Sequence, residues 1–148
     1  MNTPLINFYI NGARNNRGYT LQEMIEADNH FWEGSYFIQW VFPTDKPSRS
    51  NPDAPILDEE TIYKLKTSEV FENNFKDSLY RFNVFLAETD WCQPANPNLL
   101  KIGRALYSMR LLGFVETANI WQKLYERKVI ETLGPQEPCL NYWRNYEA

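Results

Sequence analysis

The run Ser68-Glu-Val-Phe-Glu-Asn-Asn-Phe-Lys-Asp-Ser-Leu-Tyr-Arg-Phe-Asn-Val-Phe-Leu-Ala87 decides the fold class. Phe71, Phe75, Leu79, Phe82, Phe85 and Leu86 recur in steps of four, four, three, three and one, the spacing of one helix face. Glu72, Asn73, Asn74, Lys76, Asp77 and Arg81 fill the other face. This pattern predicts an amphipathic helix over 68–87 with a phenylalanine-rich buried stripe, opened by Thr67-Ser68-Glu69.

Downstream the pattern repeats. Asn96-Pro97 reads as a cap followed by proline in the first turn, with a stripe of Leu99, Ile102, Leu106, Met109 and Leu112 closed by Gly113. The spacing predicts helices over 97–112 and 115–133. The latter turns Val115, Ala118, Trp121, Leu124, Tyr125 and Val129 inward and stops at Gly134-Pro135. Pro138 opens a last short aromatic helix.

Upstream, Thr3-Pro4 predicts a short helix with Thr3 as cap, and Thr20 with Glu23 forms a capping box before a second. Phe31, Trp32, Tyr36, Phe37 and Trp40 keep helical separations across Gly34. Asp58-Glu59-Glu60 starts another short helix. Four prolines between 43 and 55 exclude helix interior and central strand. Extended alternation is missing, so at most one strand pair is expected in the first sixty residues. The fold expected is all-α: a single orthogonal, helical-bundle-like domain over 1–148 with an irregular, proline-rich N-terminal third.

Composition narrows the function. The 148 residues carry a net charge of −4, which argues against general nucleic-acid binding. Aromatic residues reach 16%, which excludes a disordered chain. One histidine and two cysteines exclude zinc fingers and disulfide scaffolds, and no metal or cofactor is expected. The chain has no apolar run of membrane-spanning length and no signal-peptide layout, so a soluble cytoplasmic protein with reduced Cys92 and Cys139 is expected.

No catalytic constellation stands out. There is no G-x-S-x-G, no P-loop and no G-x-G-x-x-G. His30 has no partner at ligand spacing, and Asp58-Glu59-Glu60 serves a helix N-terminus more readily than a cation. Gln39, set among Phe37, Ile38, Trp40, Val41 and Phe42, either pins the proline-rich loop through its backbone or faces a ligand. Arg104 either meets a ligand anion or pairs with a carboxylate of a neighbouring helix.

Ile38-Gln39-Trp40-Val41-Phe42-Pro43, followed by Asn51-Pro52-Asp53-Ala54-Pro55-Ile56-Leu57, resembles the signature of the opioid growth factor receptor conserved domain. Asn7-Phe8-Tyr9, the Phe75–Phe85 helix, Asn98-Leu99-Leu100-Lys101-Ile102-Gly103-Arg104, Ser108–Gly113 and Tyr142-Trp143 extend the likeness over nearly the whole chain. The departures are Ser35, Pro97-Asn98 and Lys101, where relatives commonly have histidine, His-Asn and arginine. The vertebrate namesakes are associated with an enkephalin peptide at the nucleus and carry long extra regions. Short members occur in microbes and their viruses. The resemblance makes Ile38, Phe42, Pro43, Ala54 and Pro55 a structural signature.

The expected role is a non-catalytic binding module for a peptide or a small, anionic or nucleotide-like ligand. The alternatives are a protein–protein interaction or inhibitor subunit, virus-encoded and aimed at a host pathway, and an enzyme without histidine. The polar and aromatic members of the two best-matched segments are the expected ligand contacts: Gln39, Trp40, Asn51, Asn98, Lys101 and Arg104. Lys101 and Arg104, three apart, share a helix face able to meet one anion or to form salt bridges. Partner identity and oligomeric state are left open by the residues.

Overall fold

The computed structural model describes residues 1–146. Helices run over Thr3–Ile10 (α1), Leu21–Glu26 (α2), Asn29–Glu33 (α3), Ile38–Val41 (α4), Glu59–Lys66 (α5), Glu69–Ala87 (α6), Pro97–Leu111 (α7), Val115–Thr132 (α8) and Pro138–Arg144 (α9). Among the described residues there is no strand, within the limit of at most one strand pair, and one isolated parallel bridge joins Thr44 and Ile56. The fold is all-α. The chain divides into two compact units, Met1–Glu88 and Thr89–Ala148.

Local sequence explains most helix ends. Ser68 caps α6, its hydroxyl accepting from the Phe71 N–H at 3.1 Å. Thr20 and Glu23 close their capping box on α2. Asn96 caps α7 with proline in the first turn. At α1 the cap is Asn2, one residue before the expected Thr3: its Oδ1 accepts from the Leu5 N–H at 3.2 Å. The aromatic stretch breaks at Gly34 into two short helices, α3 and α4, instead of one.

In the first unit α6 is the spine. Phe71, Phe75, Leu79, Phe82, Phe85 and Leu86 are all buried, and α1, α2, α3 and α5 pack on this helix. Phe42 meets Phe75 and Phe82 edge-on, with ring centroids 6.0 and 5.2 Å apart. Aromatic pairs of this kind add to the area they bury.

In the second unit α7, α8 and α9 pack pairwise. The α7 stripe is buried as its spacing predicts. Gly103 lets α9 come close: a Cβ there would stand 2.7 Å from Tyr142 Cδ1 and 3.0 Å from Trp143 Cδ1. The contact is tied by the Trp143 indole N–H, which donates to the Leu99 carbonyl at 2.7 Å. On α8 the expected inward face is corrected. Only Ala118 and Val129 are buried, while Val115 and Leu124 face solvent. Trp121 and Tyr125 are half-buried, and Tyr125 still packs edge-on against Trp91 and Trp143, with ring centroids 5.5 and 6.4 Å apart.

Two stability measurements check this packing. Phe42→Ala should lower unfolding free energy by about 3–5 kcal/mol, the cost of an aromatic-sized core cavity, read by chemical denaturation. Gly103→Ala should destabilise by about 1–3 kcal/mol, although alanine is the better helix former by about 1 kcal/mol. Adding Tyr142→Ala to Gly103→Ala should then cost less than the two single changes together.

Candidate functional site

The signature segment is placed by buried hydrogen bonds. Tyr9, fully buried, donates its hydroxyl to the Val41 carbonyl at the end of α4. After Phe42-Pro43 the chain enters the proline-rich loop. Thr44 and Leu57 pin the loop's two ends, with the Leu57 N–H donating to the Thr44 carbonyl at 2.9 Å. Inside it, Asn51 builds the turn: its Oδ1 accepts from Asp53 N–H at 3.3 Å and its carbonyl from Ala54 N–H at 3.0 Å. Ser48 in turn caps Asn51 N–H at 3.2 Å.

This turn walls a cleft of about 620 Å³ in the first unit. Trp40, Ala54 and Pro55 meet there with Asn2, Arg14 and Asn15. Trp40 is largely buried and packs edge-on against Phe8, centroids 5.3 Å apart, so only a small part of its indole is exposed. Asp53 stands exposed at the cleft's margin.

Asn15 is the residue that sequence reasoning missed. It lies in Arg14-Asn15-Asn16-Arg17-Gly18, which reads as a plain polar loop. Its Oδ1 accepts from both the Arg17 and Tyr19 N–H groups at 3.0 Å, and its carbonyl accepts from Gly18 N–H. That turn, closed by Gly18 at φ 86°, leaves the side chain only 7% exposed. The Nδ2 donor has no hydrogen-bond partner. An asparagine followed three residues later by glycine was the available signal for the turn; nothing local marked its burial.

Arg14 is held beside it. Its Nη1 donates to the Gly18 carbonyl at 2.7 Å and to Glu23 Oε1 at 2.6 Å. Glu23 also accepts from the Thr20 N–H, and that backbone bond, with Arg14 beyond it, holds the carboxyl below its ordinary range.

The other expected contacts are distributed differently. Gln39 is buried in α4, and its Oε1 meets no hydrogen-bond donor. The loop's turn bonds come from Thr44, Ser48 and Asn51. Asn51 is half-buried in the first unit. Asn98, Lys101 and Arg104 belong to the second unit, where all three are buried on α7. Burial pulls the Arg104 guanidinium pKa down, while the Tyr146 hydroxyl opposes that shift through charge and a hydrogen bond.

The second unit has cavities of its own. One of about 500 Å³ is apolar, with Leu99, Leu100, Cys139 and Tyr142 in its wall. Another of about 440 Å³ joins Tyr107, Arg110, Trp143 and Arg144. Its cations are already engaged: Arg110 with Asn119 and Gln122, Arg144 with Glu126 at 2.7 Å. Both cysteines are unbridged and buried, and burial pushes the Cys139 thiol up to about 11, which makes it a poor nucleophile. Among the described residues no group of three or more His, Cys, Asp or Glu side chains could hold a metal. Among the described residues no helix is long and apolar enough to cross a membrane.

The depressed Glu23 carboxyl carries a pH dependence. A folded-state pKa below the unfolded value stabilises above the unfolded carboxylate pKa, and the gain is lost as pH falls through the folded value. Acidification should therefore loosen α2 and release Arg14. Glu23→Gln keeps an acceptor for the Thr20 N–H but cannot titrate. Thermal unfolding followed between neutral and acid pH should show a shallower acid decline in that variant.

Comparison with family models, curated proteins and solved structures finds no match for this chain.

Proposed function

We propose that this chain is a non-catalytic binding module and that its ligand, a peptide or small molecule, enters the cleft beside Trp40. The observation that carries the reading is Asn15: a side chain more than nine-tenths buried in the cleft wall, its Nδ2 donor lacking a partner. A buried donor left unmade costs about 1–3 kcal/mol, which a ligand acceptor repays. The cleft's size falls within the range of small-ligand sites, and its mix of apolar wall with a few placed polar groups fits them. The resemblance of 38–57 to the opioid growth factor receptor conserved domain supports the same placement, since that segment supplies Trp40, Ala54 and Pro55. In this reading the protein works in the cytoplasm with both thiols reduced.

A protein-interaction subunit is the second reading. It draws on the exposed tyrosines of the first unit, Tyr36, Tyr63 and Tyr80. The two part on where substitutions act: cleft variants abolish binding under the first, surface tyrosine variants under the second.

The test is a two-dimensional NMR screen of short acetylated peptide amides and nucleoside monophosphates. The Trp40 indole signal is assigned by Trp40→Phe. A binding compound should shift both the Trp40 indole and the Asn15 side-chain amide. Asn15→Asp keeps the acceptor for Arg17 and Tyr19 but removes the donor, and should weaken that compound about tenfold. Compounds that bind while leaving both signals in place would sink the reading.

A further inference from the structure

The face of α8 that its expected stripe misassigned has a pattern of its own. Glu116, Ile120, Leu124, Arg127 and Glu131 follow in steps of four, four, three and four, so they line one side of the helix. All five are exposed, Ile120 and Leu124 at 59% and 55%. Among the described residues Glu116, Arg127 and Glu131 make no ion pair. Two large aliphatic side chains one turn apart, flanked by unpaired charges, leave this face without a partner among the described residues.

The order of charges is self-complementary. Let two α8 helices lie antiparallel about a two-fold axis at the level of Gln122. Ile120 of each copy then comes level with Leu124 of the other, making a central apolar patch of four side chains. Glu116 comes level with Lys128 and one residue, about 1.5 Å along the axis, from Arg127. Lys128 is engaged, its Nζ 4.9 Å from the Trp91 ring centroid, so Arg127 is the partner for Glu116. Symmetry makes this pair twice. Glu131 comes level with Gly113, just before the N-terminus of the opposing α8. That end has no side-chain cap, because its N-cap residue is Phe114. A carboxylate there meets the positive end of the helix dipole. A parallel arrangement would set Glu116 against Glu116 and Arg127 against Arg127.

We propose that this face of α8 is a docking surface for a second copy of the same chain, joined antiparallel. The interface is isologous, as closed two-fold dimers require. One helix face per copy falls short of the roughly 800 Å² per partner of a standard interface, so the dimer is weak and depends on concentration.

Sedimentation equilibrium of the full chain from about 10 µM to about 1 mM tests this, a range that spans weak association. Circular dichroism of every variant confirms retained helicity. The wild type should pass from monomer to dimer across the range. Leu124→Asp should remain monomeric. Glu116→Arg alone, or Arg127→Glu alone, should weaken association on the order of tenfold, because each makes two like-charge contacts. The Glu116→Arg/Arg127→Glu double variant should regain association, since the swap restores both pairs. Lys64→Glu, an exposed change on α5, should change little. A wild type monomeric throughout, or a dimer indifferent to the single reversals, would overturn the proposal.

Discussion

The buried hydroxyl of Tyr9 is the constraint on which the first unit turns. A phenol can be taken out of water at little loss only if its O–H finds an acceptor. Here it donates to the Val41 carbonyl and lies 3.3 Å from the Ser78 hydroxyl. Ser78 donates back to the Asn74 carbonyl, and the Asn74 amide donates to the Tyr9 carbonyl at 2.7 Å. One aromatic residue thus joins α1, α4 and α6 through polar bonds inside an apolar core. Burial also drives the phenol's pKa far up, so the group stays a donor at any ordinary pH. The consequence for the site is direct. A helix of four residues such as α4 cannot persist on its own backbone bonds. It exists because Tyr9 and the phenylalanines of α6 hold it, and Trp40 takes its place in the cleft wall for the same reason.

What could be read in advance divides along a physical line. Caps at Ser68, Thr20 and Asn96 are local chemistry between a side chain and an N–H two or three residues on, so they are visible in sequence. The α6 and α7 stripes are visible because one side of each helix is buried along its whole length. The failures sit where tertiary contact decides. Val115 and Leu124 looked like core, yet the buried positions of α8 are Ala118 and Val129, with Tyr125 half-buried against Trp91 and Trp143. Asn98, Lys101 and Arg104 were legible as members of one helix. Their burial was not, because pattern reading assigns amides and cations to the solvent side. In the site, Trp40 and the Ala54-Pro55 turn were legible from the resemblance. Arg14 and Asn15 were not: a loop residue acquires a role only when the fold brings the loop to a wall.

The second unit obeys a different constraint, one of distance. Its close contact between α7 and α9 runs over Gly103, where the absent side chain makes room for the Tyr142 ring and the Trp143 indole N–H then reaches Leu99. A mid-helix glycine sacrifices helix propensity, and only close packing offsets that loss. Periodicity cannot reveal such a position, because a glycine inside an otherwise regular helix reads simply as a weak spot.

Set against these satisfied groups, the two unmet amide atoms near the signature segment stand out. Asn15 Nδ2 and Gln39 Oε1 are both buried and both lack a hydrogen-bond partner. The same unit pairs the polar groups of Tyr9, Ser78 and Asn74 with one another and leaves one further buried atom, Arg81 Nη1, without a partner. For stability alone an apolar side chain at position 39 would serve better, since an unmade buried acceptor only costs. At position 15 the amide oxygen already organises a turn that aspartate could organise equally, which leaves the NH2 group without a structural task. Natural sequences break local rules of this kind where function asks for it. That is the physical ground for reading the wall beside Trp40 as a site that awaits an acceptor. The apolar cavity of the second unit, which buries no comparable orphan donor, lacks that ground.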